Sequence, residues 1–129
     1  MHKFWGKVRT HNQRGKTLGF PTANVSLHEH SPSSSKKIPE GIYASITKIV
    51  NREYKSITFI GTVKTFNEKK YHSETYILDF DRNIYGKWIA VNLLKKIRGN
   101  QKFISASELI SQMKKDEQDA REYFTKIRT

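Results

Sequence analysis

Ile42-Tyr43-Ala44-Ser45-Ile46-Thr47-Lys48-Ile49-Val50-Asn51-Arg52-Glu53-Tyr54-Lys55-Ser56-Ile57-Thr58-Phe59-Ile60-Gly61 reads as two strands with a polar connection between them. Ile42, Ala44 and Ile46 share one face while Tyr43, Ser45 and Thr47 share the other, the period of two expected when one side faces a core. Asn51-Arg52-Glu53 has the composition of a hairpin connection. The same pattern recurs outward from this pair. Phe4–Arg9 and Thr22–Leu27 precede it, and Ser73–Phe80 and Trp88–Ile97 follow it, all rich in β-branched and aromatic residues and separated by Gly, Pro, Asn and Ser. Six strands with no helix between them predict a mainly β fold, an antiparallel barrel covering about residues 3–98, because closure removes exposed edges. After Phe103 the period changes. Ser105 and Glu108 form a Ser-x-x-Glu capping box, and Ile110, Met113, Ala120, Phe124 and Ile127 follow at helical spacing, predicting a C-terminal helix over about 105–126 that packs on the barrel. Asp116 and Glu117 interrupt that stripe and are expected at its edge. His28 to Lys37, with three consecutive serines, reads as a solvated loop.

At 129 residues the chain suits one core, and no composition shift marks a second, so residues 1–129 are read as one domain. No run approaches the roughly 20 apolar residues that span a bilayer. Met1 to Gly6 enters the first strand without an apolar signal region, so a membrane partner is not expected and the cytoplasm is the expected location. The absence of cysteine excludes disulfides, thiolate catalysis and Cys-based zinc sites. Lys and Arg outnumber Asp and Glu by 24 to 12, a formal charge of +12 that favours anionic partners. Nucleic acid and a nucleotide triphosphate both satisfy it, and charge does not choose between them.

Gly15-Lys16-Thr17-Leu18-Gly19-Phe20-Pro21-Thr22-Ala23-Asn24 carries the chemistry. Gly15 and Gly19 permit conformations closed to other residues and let main-chain N–H groups approach an anion. Pro21 biases Phe20 toward an extended conformation, so the chain leaves the loop in strand geometry. Thr22 and Asn24 then project to one side about 6.5 to 7 Å apart. Their neutral oxygens are too weak to hold free Mg²⁺ but suit a metal arriving with nucleotide phosphates. The spacing of a Walker loop is absent. Read from physics alone, the stretch is first of all a glycine-containing β-turn followed by a strand with two polar residues on its wet face.

The stretch closely resembles a signature of riboflavin kinases and of the kinase half of bacterial bifunctional FAD synthetases. Further elements resemble that family in its own order: Ile38-Pro39-Glu40-Gly41-Ile42-Tyr43-Ala44, Ile60-Gly61 with Thr65-Phe66, Glu74 followed by Ile77-Leu78-Asp79-Phe80, Tyr85-Gly86, Arg98 and Lys102-Phe103. The resemblance implies a six-stranded antiparallel Greek-key barrel that transfers the γ-phosphoryl group of ATP to the terminal ribityl hydroxyl of riboflavin, giving FMN. It implies Thr22 and Asn24 as Mg²⁺ ligands and Glu74 as the base. Gly15, Lys16, Gly19, Pro21 and Tyr85 match the nucleotide side, and Glu74, Ile77, Asp79, Arg98 and Phe103 the flavin side. In a regular strand Glu74 shares a face with Tyr76, Leu78 and Phe80, where partial desolvation improves a carboxylate as proton acceptor. Glu74 is expected to meet the metal site from across the barrel. Phe103 suits both a flavin ring and a hydrophobic staple against the helix.

Three departures from the family stand out. His11 and Asn12 occupy positions where glycine is frequent, Lys64 stands for proline in Gly61-Thr62-Val63-Lys64-Thr65-Phe66, and Gly99-Asn100 follows Arg98 where an acidic residue is common. The pair His28 and His30 lacks a third ligand at a recognisable spacing, so zinc is not expected. The competing reading is a non-catalytic flavin- or RNA-binding regulator on the same barrel. No aromatic and basic repeat suggests a stacking platform, and specific nucleic-acid binding is not expected. A monomer with riboflavin and ATP as its partners is.

Overall fold

The computed structural model describes residues 2–11, 22–27, 38–64 and 69–127. Its strands are β1 (His2–Lys7), β2 (Thr10–His11), β3 (Ala23–Ser26), β4 (Gly41–Ile49), β5 (Arg52–Lys64), β6 (Lys69–Ile77) and β7 (Trp88–Arg98), followed by one helix, α1 (Ala106–Lys126). All pairings are antiparallel, in the order β1-β7-β4-β5-β6-β3-β2. The two ends of that order are one run of chain. β1 pairs with β7 from His2↔Leu93 to Lys7↔Trp88, Val8 N donates to Lys87 O at 2.9 Å, Arg9 N donates to Asn24 O at 2.9 Å, and β2 then pairs with β3. This single run closes the sheet, so the seven pairing segments make the six-stranded barrel that the sequence predicts.

Both faces of β4 are covered, and the more polar one points inward. Tyr43, Ser45, Thr47 and Ile49 join Phe4, Val25, Ile60, Ile77, Val91 and Leu93 inside the barrel. Burying hydroxyls without partners is costly, and here each has one. Ser45 Oγ lies 2.7 Å from Ser56 Oγ and 2.8 Å from Thr58 Oγ1, Thr47 Oγ1 lies 2.8 Å from Ser56 Oγ, and Thr58 Oγ1 lies 3.0 Å from Thr75 Oγ1. On the outer face Ile42, Ala44, Ile57 and Leu78 pack against Ala120 and Phe124 of α1. Tyr43 and Tyr71 donate to the carbonyls of Pro39 and Ile38, each at 2.6 Å, and so hold the approach to β4. Burial raises both phenols, that of Tyr71 to about 12.

Several boundaries differ from the sequence reading. The β4–β5 connection is Val50-Asn51, because Ile49 already pairs with Arg52. Val50 has φ 57° and is 76% exposed. A β-branched residue is strained there, at about 1–2 kcal/mol. Val50→Gly is expected to gain up to about 1 kcal/mol once the extra unfolded-state entropy of glycine is set against the relief. A urea midpoint that falls instead would contradict this. β5 continues to Lys64, paired with Lys69, where a proline would remove a donor from the strand. β6 stops at Ile77 rather than Phe80, since Asp79 has φ 56°. The turn sends Phe80 away from Glu74's face. It packs against the inner core and meets the Tyr54 ring edge-on at 5.0 Å.

Ser105 caps α1 by accepting from Glu108 N at 3.1 Å, and Glu108 Oε1 accepts from Ile104 N at 3.3 Å. Ala120 and Phe124 are buried as the spacing predicts, but so is Asp116, 4% exposed, which the sequence reading puts at the edge of the stripe. Ile127 lies past the helix end and is 45% exposed. Among the described residues no helix is long and apolar enough to cross a membrane.

Candidate active site

Partners directly opposite in a sheet share a face. Following the register outward from β3 gives Asn24↔Glu74, Glu74↔Phe59, Phe59↔Ile42 and Ile42↔Arg98. These five residues form one row across five strands on the outer face of the barrel. With strands about 4.8 Å apart, Glu74 and Arg98 stand about 14 Å from each other along the row. Two bulges in β7 keep Arg98 on this face, because the outward positions advance from Asn92, opposite Ile46, to Lys95, opposite Ala44, to Arg98, opposite Ile42. Gly41 permits the last approach. Its φ is 153°, and a Cβ there would come within 2.8 Å of the Arg98 carbonyl.

A cavity of about 420 Å³ lies over this row. Thr22 and Glu74 line one side, Ile42, Ile57, Phe59 and Tyr76 form the sheet side, residues 98 and 100–103 add a loop, and Leu109, Met113 and Asp116 come from α1. Glu74 is 7% exposed. Its Oε1 lies 3.5 Å from Thr22 Oγ1, the outer limit of a hydrogen bond, and its Oε2 lies 3.1 Å from His72 Nε2. The sequence reading brings Glu74 to the Thr22 and Asn24 site from across the barrel. The structure corrects this. Glu74 is Asn24's neighbour on the adjoining strand, on the outer face, and the barrel interior is not involved.

Thr22 and Asn24 are 5% and 9% exposed, and among the described residues Asn24 Nδ2 has no hydrogen-bond partner. A buried carboxamide left open on one side can turn either its oxygen to a cation or its N–H groups to a phosphate. Two neutral oxygens beside a carboxylate fit Mg²⁺ that comes with phosphates. Among the described residues no group of three or more His, Asp or Glu could hold a metal unaided.

At the other end Arg98 is gripped from α1. Its Nε and Nη2 donate to Asp116 Oδ1 and Oδ2, both at 2.8 Å, and its Nη1 donates to Gly99 O at 3.0 Å. The guanidinium lies 5.8 Å from the centroid of the Phe103 ring. Phe103 shares the cavity with Leu109 and Met113, so it serves as wall, and Ile104, the residue placed for a staple, is 91% exposed. Glu40 ties the loop to the sheet, accepting from Asn100 Nδ2 at 2.9 Å and from Thr62 Oγ1 at 3.0 Å.

Thr22, Glu74, Arg98 and Phe103 therefore come together, with Asn24 next in the row. Three other predicted residues do not line the cavity. Ile77 points into the barrel core. Asp79 bonds through both oxygens to Arg121 at 3.1 and 2.9 Å, and that guanidinium holds its carboxyl below the usual range. Tyr85 is 65% exposed in the turn whose Gly86 N donates to Val8 O. Gly15, Lys16, Gly19 and Pro21, with Asn12, Thr65, Phe66 and the His28 to Lys37 loop, lie outside the described residues. Sequence reasoning missed His72, Phe59 and Asp116. His72 was legible two places before Glu74 on the same face, and Asp116 as an acid inside an apolar stripe.

The family model described as Flavokinase, riboflavin kinase, matches residues 1–124. The chain is 40% identical over 121 residues to the trifunctional protein RibF/MnmA of Mycoplasmoides gallisepticum, covering 94% of this chain and 18% of that protein. It is 37% identical over 120 residues to the bifunctional riboflavin kinase/FMN adenylyltransferase of Bacillus subtilis, covering 91% and 37%. These relatives are thus much longer than the part the chain spans. Among solved structures, riboflavin kinase from Trypanosoma brucei superposes with a TM-score of 0.64 at 25% identity, over 98% of this chain and 83% of that one. A macrolide-efflux protein from Streptococcus pneumoniae superposes with a TM-score of 0.80 at 32% identity, over 92% and 38%. The barrel and a match over nearly the whole length agree, and the chain belongs to the riboflavin kinase family.

Proposed function

We propose that this chain transfers the γ-phosphoryl group of Mg·ATP to the terminal ribityl hydroxyl of riboflavin, giving FMN. The observation that carries the reading is the row of Asn24, Glu74, Phe59, Ile42 and Arg98. It sets polar oxygens at one end, a carboxylate next, an apolar floor in the middle and a guanidinium at the far end. A flavin has the same sequence of properties: a hydroxylated chain that must react, a flat apolar ring, and hydrogen-bonding carbonyls on the ring edge.

In this reading the ring lies between the Phe59 and Ile42 floor and the wall of Phe103, Leu109 and Met113, with the ribityl chain directed toward Glu74. Glu74 aligns the terminal hydroxyl and accepts its proton as the oxygen attacks phosphorus. Phosphoryl transfer asks mainly for such positioning. Thr22 and Asn24 would hold Mg²⁺, which when bound neutralises charge on the phosphates. Gly15, Lys16, Gly19 and Pro21 are assigned to the phosphates, Tyr85 to the nucleotide, and Ile77 and Asp79 to the flavin's surroundings by family resemblance alone. Residues 1–129 act in this reading as one kinase domain, since barrel and helix line the same cavity. They act as a monomer, because one copy supplies both ends of the row, and in the cytoplasm, where ATP is the abundant donor.

Incubation of the protein with riboflavin, ATP and Mg²⁺ is expected to yield FMN, resolved from riboflavin by chromatography. Folded protein that gives no FMN with ATP or any other nucleoside triphosphate would sink the proposal. Asn24→Ala is expected to raise the KM for Mg·ATP by about 10- to 100-fold, the size of one lost bond to a charged group, with riboflavin affinity unchanged. A KM change confined to riboflavin would move Asn24 out of the metal site.

A further inference from the structure

Arg98 reaches the cavity from a strand end, where a long side chain has many rotamers, yet three of its N–H groups are held. Asp116 takes two of its N–H groups in parallel, and Gly99 O takes a third. A guanidinium has five N–H groups, so two remain for a ligand. Asp116 is itself held. Gln112, one turn earlier on α1, donates from Nε2 to Asp116 Oδ1 at 2.9 Å, and the Asp116 side chain is only 5% exposed. A buried carboxylate is costly unless paired, and its partner here is the cavity's arginine rather than a distant surface charge.

Resting on the kinase reading, we propose that Asp116 is a positioning residue for flavin recognition, acting through Arg98. The bidentate pair does two things. It locks the guanidinium plane so that its remaining N–H groups are presented in one direction, which removes the rotamer entropy that binding would otherwise cost. It also balances the arginine's charge, so this end of the cavity offers donors without demanding an anion. Uncharged ring carbonyls are the class of acceptor such donors suit. Arg98 stands about 14 Å from Glu74 along the row, so a loss at this end acts on binding and leaves the reacting atoms in place.

The test measures riboflavin binding by quenching of flavin fluorescence, without ATP, alongside kcat and KM. Asp116→Asn is expected to weaken riboflavin binding about tenfold and raise its KM to match, with kcat within about twofold of the parent. Asp116→Glu, which keeps the charge but displaces the carboxylate, is expected to fall between them and covers the case in which the asparagine variant does not fold. The deciding measurement is the cycle with Arg98→Gln. In that background the asparagine substitution should change riboflavin binding by less than about twofold. An undiminished effect there, or a drop in melting temperature with flavin affinity unchanged in both single variants, would make the pair structural and overturn the proposal. A parent protein that neither binds nor phosphorylates riboflavin would instead remove the kinase reading on which it rests.

Discussion

Glu74→Gln is expected to lower kcat for FMN formation by about 10²- to 10⁴-fold while riboflavin affinity stays within about threefold of the parent. The substitution keeps the size and planarity of the side chain. Its carboxamide oxygen can still accept from Thr22 Oγ1, and its nitrogen can donate to His72 Nε2 in the ring tautomer that accepts, 3.1 Å away in the parent. The row and the cavity floor therefore persist. What disappears, on the mechanism proposed above, is the capacity to take up the proton of the attacking hydroxyl. A rate close to that of the parent would show that Glu74 only orients the ribityl chain, and pre-steady-state measurement of the first turnover separates this from slow product release.

Phe124→Ala is expected to cost about 3–5 kcal/mol, the usual range for emptying a buried phenyl site, and to lower the melting temperature by about 10 °C or more. Phe124 is 4% exposed and packs with Ala120 on the outward residues Ile42, Ala44 and Ile57, with Lys55 Nζ 5.8 Å above its ring. The consequence should extend to activity. α1 carries Leu109, Met113 and Asp116 into the cavity, so a helix that no longer seats firmly moves a wall of the site. The KM for riboflavin should rise with kcat little changed. A stable variant with parental KM would show that the first half of α1 docks without the second.

Strands and helix were legible because periods of 2 and 3.6 residues are local properties of the chain. The exceptions arise from a single backbone angle and from contacts across strands, which no period reports. Phe80 leaves the face of Glu74 because Asp79 adopts a positive φ, which aspartate tolerates but does not announce. Ser45 and Thr47, set by the period on the face opposite Ile42, Ala44 and Ile46, are buried together with Ser56, Thr58 and Thr75, since their hydroxyls satisfy one another across strands. The site residues could be matched one at a time, but their arrangement depends on register. Slipping one strand by a single residue would send Glu74 or Phe59 inward and dissolve the row. Asp116 was visible as an anomaly in the helix, though its partner, eighteen positions earlier, was not.

The run that closes the barrel has a consequence for synthesis. His2 pairs with Leu93 and Lys7 with Trp88, so the first described strand of the barrel waits for the last one, β7, before its paired edge is covered. During that interval Phe4 and Val8, later among the least exposed of the described residues, lack the β7 part of their core, Ile89, Val91 and Leu93. Closure is thus a late event of translation, and the nascent chain is most open to chaperone capture or mispairing between the emergence of β1 and that of β7.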